Sequence, residues 1–168
     1  MHIFFTGFMG VGKTTIGKEV ADLLQIPFID LDNEIEQYED SSISEIFSTK
    51  GEDYFREIES NLLHQVVKKQ SATSLIALGG GTMCHLNNHS FILKQGVTVY
   101  LKKTWEDWLT SYQTIEDRPK LADKSLESIF KLYQQREPIY ALAQLETLVN
   151  TSFSTKNLAN RLKLLTNR

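Results

Sequence analysis

The 168-residue chain has one cysteine, Cys84. A single thiol excludes an internal disulfide and fits a reducing compartment, and it reads as a small loop or core residue rather than a catalytic group. An excess of charge of one sign is also lacking. A net charge of −3 and a pI near 5.8 leave no broad basic field, so no nucleic-acid partner is expected. Lysine and arginine are scattered, with short pairs only at Lys68-Lys69 and Lys102-Lys103. No apolar run approaches the ~18 residues that a membrane helix needs, so no membrane partner is expected. The start, Met1 to Phe5, lacks a positive lead and runs straight into a glycine loop, so it is not expected to act as a leader. The four histidines, His2, His64, His85 and His89, show no metal-ligand spacing. With 41% apolar and 23% charged residues, the chain reads as a cytoplasmic protein of one domain.

Short apolar strands alternate with amphipathic segments. His2 to Thr6 has strand length and stops at Gly7, and a helix is expected from Lys13 to Leu24, with Ile16, Val20, Leu23 and Leu24 at helical spacing. Further strands are expected at 27–30, 74–78, 97–101 and 147–150. Ser42-Ile43-Ser44-Glu45 has the pattern of a capping box opening a helical turn, and a longer helix is expected over 52–69. Helices are also expected at 104–112, 125–137 and 155–166. This alternation predicts an α/β fold with a parallel sheet between two helical layers. Ligands of such sheets bind beyond the carboxyl ends of the strands, which is where chemistry is sought.

After the first strand the chain reads Gly7-Phe8-Met9-Gly10-Val11-Gly12-Lys13-Thr14, a full match to G-x-x-x-x-G-K-S/T between a strand and a helix. Glycines allow successive N–H groups to turn inward on phosphate oxygens, and the helix adds its positive end. A nucleoside triphosphate is therefore expected, bound by Gly7, Met9, Gly10, Val11, Gly12, Lys13, Thr14 and Thr15. Lys13 would reach the β- and γ-phosphates and the Thr14 hydroxyl would join the Mg2+ shell. The strand at 74–78 ends in glycines and offers no carboxylate, so the acidic strand end Ile29-Asp30-Leu31-Asp32 is the candidate. Residues two apart in an extended chain face one side. On that basis Asp30 would lie near the metal and Asp32 against the acceptor hydroxyl as orienter or base. The same residues, taken alone, equally suit a solvated acidic loop opening a helix. Of five arginines, Arg161 and Arg168 lie in the C-terminal helix and tail. Arg56, Arg118 and Arg136 are placed to grip an anion, and a surface role is the alternative for each.

Together these motifs resemble the shikimate kinase family almost end to end. Asp30-Leu31-Asp32 resembles its D-x-D, Phe55-Arg56-Glu57-Ile58-Glu59 its F-R-x-x-E, and Gly79-Gly80-Gly81 its triple glycine. Arg118-Pro119 resembles the start of its lid motif and Arg136-Glu137-Pro138-Ile139-Tyr140 its R-x-P-x-Y. The resemblance implies a nucleoside-monophosphate-kinase-like P-loop fold: a three-layer sandwich with a five-stranded parallel sheet, an acceptor-binding subdomain at about 31–60 and a lid at about 111–123. It implies phosphorylation of the 3-hydroxyl of shikimate by ATP with Mg2+, in a monomer. By the same likeness Asp32, Lys13 and Arg118 are catalytic, and Arg118 also contacts ATP. Asp32, Arg56, Gly79, Gly80, Gly81 and Arg136 would hold the acceptor, Thr14 and Asp30 would serve the metal, and Glu59 would orient Arg56. Phe47 and Phe55 would wall the pocket or pack in the core.

The chain departs from the family's pattern in two places. Ser111-Tyr112 and Thr151-Ser152-Phe153-Ser154 stand where arginines usually pack on adenine, so Tyr112 or Phe153 is expected to stack instead. Lys120 also replaces an apolar lid residue. Arginines alone leave gluconate open as an acceptor. A guanine-binding N-K-x-D string, which a GTP-driven switch would carry, does not occur.

Overall fold

The computed structural model describes residues 1–113 and 125–166. Arg118, Pro119, Lys120, Arg168 and most of the expected lid lie outside them.

The described chain runs β1 (His2–Thr6), α1 (Lys13–Leu24), β2 (Phe28–Asp30), α2 (Leu31–Glu39), α3 (Ile43–Lys69) and β3 (Leu75–Ala77). It continues with a single 3-10 turn (Thr82–Cys84), α4 (Asn88–Gln95), β4 (Gly96–Lys102), α5 (Trp105–Gln113), α6 (Leu126–Tyr140), β5 (Leu145–Leu148) and α7 (Thr155–Thr166). The five strands form one parallel sheet in the order β2-β3-β1-β4-β5, as the alternating pattern predicted.

The central strand β1 is buried along its whole length, and its side chains divide between the two faces. Phe4 joins a core with Leu31, Ile35, Ile46, Phe55, Leu63 and Ile76. Ile3 and Phe5 join the opposite core with Val20, Leu75, Val99, Leu101 and Leu162. This period of two is what a strand buried on both faces requires. A third, aromatic cluster of Phe8, Tyr100, Trp108, Ile129, Tyr133 and Tyr140 lies under the phosphate loop.

The capping box is present: the Ser42 hydroxyl accepts from Glu45 N–H, and the Glu45 carboxylate accepts from Ser42 N–H. The turn it opens and the long helix after it are joined across a kink at Gly51, where φ is 86°. β5 starts two residues earlier than expected, because its register is set by pairing of Val99 with Leu145 rather than by local pattern. Helix α6 runs on through Pro138 to Tyr140, beyond the expected end at 137. Pro138 cannot donate an i→i−4 bond, and the helix ends two residues later at Tyr140.

Sheet register brings the site together. Asp30 pairs with Ala77, and Ala77 with Phe5, so β1, β2 and β3 end at one level. Gly7, Asp30 and Gly79 therefore emerge on the same edge.

Candidate active site

The phosphate loop leaves β1 at Gly7 and enters α1 at Lys13. Gly7, Gly10 and Gly12 all have positive φ, at 142°, 76° and 99°, which only glycine adopts without strain. Val11 is buried and anchors the loop in the core beneath it, while Met9 is half-buried and Gly10, Thr14 and Thr15 are exposed. Lys13 folds back over its own loop, donating from Nζ to the carbonyls of Gly7 at 2.9 Å and Phe8 at 3.2 Å. Its pKa is lowered to about 8; burial is the main cause, the Arg136 charge adds to it, and the Asp32 and Asp30 carboxylates oppose it. Both aspartates and Arg136 thus lie close enough to act on the Lys13 charge.

The two aspartates come together for a different reason from the extended spacing expected of them. β2 ends at Asp30, and α2 starts at once with Leu31, so Asp32 lies in a helical turn. Asp30 is the N-cap of α2: its Oδ1 accepts from Asp32 N–H at 3.0 Å. Its Oδ2 accepts from the Thr14 hydroxyl at 2.6 Å. Asp32 Oδ1 turns toward the glycine loop, where a Cβ added at Gly79 would lie 2.8 Å away from it.

Facing them is Gly79-Gly80-Gly81 with the first turn after it. A Cβ at Gly81 would meet the Arg56 guanidinium at 2.8 Å, so the missing side chain is what lets the arginine lie on the loop. Arg56 Nη1 donates to Glu59 Oε2 at 2.8 Å, and Glu59 is fully buried. The other Glu59 oxygen accepts from the Thr82 hydroxyl at 2.6 Å. Thr82 is itself held by Asn88, whose Nδ2 donates to the Thr82 carbonyl, and Asn88 accepts from the Ser60 hydroxyl. From the other side Arg136 on α6 donates to the Gly80 carbonyl at 3.2 Å. Two guanidinium groups 80 positions apart therefore converge on one glycine loop.

Of the two roles expected for Phe47 and Phe55, the structure shows packing in the core. Phe55 is buried in the core, and the pair, 4.5 Å apart, forms an apolar bed under Arg56, whose guanidinium lies 4.9 Å from the Phe55 ring and 5.8 Å from that of Phe47. Of the two aromatic residues expected near adenine, Tyr112 stacks on Trp108 at 4.9 Å, and Phe153 packs against the core that contains Leu158. Cys84 lies near both arginines, yet burial dominates and pushes its thiol pKa up, so it stays protonated.

Sequence reasoning missed Thr82, Asn88, Trp108 and the role of Tyr140. Thr82 and Asn88 carry no local signal, since only the fold brings them to Glu59. Trp108 could have been noticed, because both tryptophans of the chain fall three apart on one short helix.

The sequence model of the shikimate kinase family matches residues 9–165. The curated shikimate kinase of Parabacteroides distasonis is 40% identical over 149 residues, which cover 86% of this chain and 85% of that protein. Among solved structures, a shikimate kinase from Bacteroides thetaiotaomicron superposes with a TM-score of 0.87 at 33% identity, covering 100% of this chain and 99% of that one. A shikimate kinase from Acinetobacter baumannii, solved in complex with shikimate, gives a TM-score of 0.84 at 31% identity over 99% and 93% of the two chains.

Proposed function

This chain belongs to the shikimate kinase family and is a kinase, and we propose that it transfers the γ-phosphate of ATP to the 3-hydroxyl of shikimate. The product would be shikimate 3-phosphate, on the route to chorismate and the aromatic amino acids. The observation that supports an anionic acceptor is the convergence of Arg56 and Arg136 on the glycine loop, near Lys13, and membership of the family supports shikimate among such acceptors. Guanidinium forks recognise carboxylates and phosphates, and the acceptor shikimate carries a carboxylate.

In this reading Asp32 orients the attacking hydroxyl and accepts its proton. Arg56 and Arg136 hold the carboxylate of the acceptor, with Glu59 aiming Arg56. Gly79, Gly80 and Gly81 keep side chains away so that the ring can approach the backbone. Gly7, Met9, Gly10, Val11, Gly12, Lys13, Thr14 and Thr15 cradle ATP, and Arg118 neutralises charge on the transferring phosphate as the lid at about 111–123 closes. The segment at about 31–60 serves as the acceptor-binding subdomain. Closure excludes water, which would otherwise accept the phosphate.

Thr14 and Asp30 suit Mg2+. Their hydroxyl and carboxylate oxygens already lie 2.6 Å apart at an open strand end, a hard-oxygen pair of the kind that ion takes while keeping waters and phosphate oxygens as its other ligands. When bound, the ion would neutralise charge on the β- and γ-phosphates. Among the described residues no helix is long and apolar enough to cross a membrane. We further propose that the enzyme works in the cytoplasm as a monomer, on small molecules alone.

The reading is tested by ADP release from Mg-ATP with shikimate, gluconate, a nucleoside monophosphate or no acceptor. A rate that depends on shikimate is expected. A clear rate with another acceptor and none with shikimate would keep the kinase and discard the acceptor.

A further inference from the structure

Two aromatic side chains, Trp108 and the last residue of the R-x-P-x-Y motif, Tyr140, grip the phosphate loop and the glycine loop. Trp108 on α5 is 2% exposed, and its indole Nε1 donates to the Met9 carbonyl of the phosphate loop at 2.7 Å. Tyr140, at the end of α6, is fully buried, and its hydroxyl donates to the Gly80 carbonyl. Both rings belong to the aromatic core under the site. Trp108 is held between Trp105 and Tyr112, stacked on each at 4.9 Å, with Phe8 edge-on at 5.5 Å. Tyr140 packs on Tyr100 at 5.3 Å, and burial pushes its phenol pKa up, so it remains a donor.

A peptide unit is planar and trans, so its C=O and N–H point in opposite directions. Holding the Met9 carbonyl therefore aims the Gly10 N–H, and holding the Gly80 carbonyl aims the Gly81 N–H. Among the described residues neither N–H donates to another protein group. Both lie on the side of the loop away from the aromatic core. Glycine loops have the backbone freedom to turn such groups aside, and a fixed external donor removes that freedom before ligand arrives.

We propose that Trp108 and Tyr140 are positioning residues, Trp108 aiming the Gly10 N–H at nucleotide phosphate and Tyr140 aiming the Gly81 N–H at the acceptor. The acceptor half rests on the shikimate reading, whereas the nucleotide half rests on the phosphate loop alone. The loops also touch, since a Cβ at Gly80 would lie 3.4 Å from Met9 N, so one aromatic core fastens both.

The test compares Tyr140→Phe, Trp108→Phe and Trp105→Phe with the wild-type enzyme. Tyr140→Phe keeps the ring and loses the donor. It should raise KM for shikimate about tenfold, the scale of one buried hydrogen bond, with KM for ATP held within about twofold. Trp108→Phe should show the converse split, weakening Mg-ADP binding about tenfold with KM for shikimate unchanged. Trp105→Phe disturbs the same stack without touching a loop carbonyl, so it should lower the melting temperature and spare both constants. It also leaves Trp108 as the single indole, whose fluorescence should respond to Mg-ADP and not to shikimate alone. An unchanged KM for shikimate in Tyr140→Phe overturns the acceptor half. Equal rises in both constants that follow lost stability, in either variant, overturn the positioning role. Absence of shikimate-dependent turnover in the wild type is a failure of the proposed function instead, and the nucleotide half is still decided by Mg-ADP binding.

Discussion

Arg56 and Glu59 lie three residues apart on α3, and their side chains meet at 2.8 Å, with the carboxylate wholly buried and the guanidinium facing Gly81. Arg56 and Thr82 share the two oxygens of this buried side chain, so its polar atoms are all partnered in the interior. Replacing Glu59 with alanine should cost about 3 kcal/mol of stability, the scale for breaking a buried pair. It should also raise KM for shikimate, because Arg56 loses the partner that aims it. Denaturant unfolding and steady-state kinetics read the two effects separately, and a KM that stays normal would show that Arg56 needs no such support.

Gly81→Ala places a methyl group where the Arg56 guanidinium now lies, at 2.8 Å. The φ of Gly81 is −108°, a value any residue adopts, so the effect is one of space and not of backbone strain. We expect KM for shikimate to rise by about tenfold or more, the cost of displacing one charge-assisted contact, with ATP affinity retained. A variant with weakened ATP binding and normal KM for shikimate would remove the loop from the acceptor site.

Asp32→Asn keeps shape and loses the base. Turnover should fall by about 10²- to 10⁴-fold, the usual contribution of a positioned general base, while the melting temperature changes little. Arg118→Ala should likewise cut kcat by about a hundredfold or more if it neutralises charge on the transferring phosphate. Near-normal kcat in either variant would defeat that residue's role.

Asp30→Asn weakens the acidic half of the pair with the Thr14 hydroxyl. The Mg2+ concentration that gives half-maximal rate should rise severalfold, roughly the effect of one lost carboxylate contact. A titration of rate against Mg2+ at saturating ATP measures it. An unchanged midpoint would leave Asp30 as a helix cap and nothing more.

His2 supplies a pH-dependence of stability that is separate from catalysis. It is buried, its Nδ1 lies 2.9 Å from the Ser74 hydroxyl, and its pKa is lowered from 6.5, chiefly by burial and then by the charge of the N-terminus. As pH falls below 6.5 the unfolded chain takes up this proton first, so stability is lost in that direction and is complete above 6.5. In His2→Phe the unfolding free energy should depend less steeply on pH between about 5 and 6.5. An unaltered slope would assign the acid sensitivity to other groups.

Much of this protein was legible from local pattern because its signals are local. The phosphate loop is eight contiguous residues whose backbone shape depends on glycine, and the Ser42–Glu45 box is closed within one turn. Strand β1 was readable because burial on both faces demands a continuous apolar run. The helices over 31–39 and 88–95 were missed. In α2 the polar residues that hold the acidic cluster mask a short apolar stripe of Leu31 and Ile35, and α4 buries only Asn88 and Ile92.

Sequence by itself determined the α/β order of elements, the nucleotide loop, and which charged residues are available for an anionic acceptor. Those properties follow from periodicity, glycine and side-chain chemistry, which act over a few residues. Tertiary structure alone decided where each group points. Strand register levels Gly7, Asp30 and Gly79, a helix start rather than an extended strand brings Asp32 beside Asp30, and residues from two distant helices, α3 and α6, fasten Gly80 and Gly81. Such placements depend on pairing and packing between segments far apart in the chain, and hydrogen bonds from buried side chains such as Trp108 and Thr82 exist only once the core has closed around them.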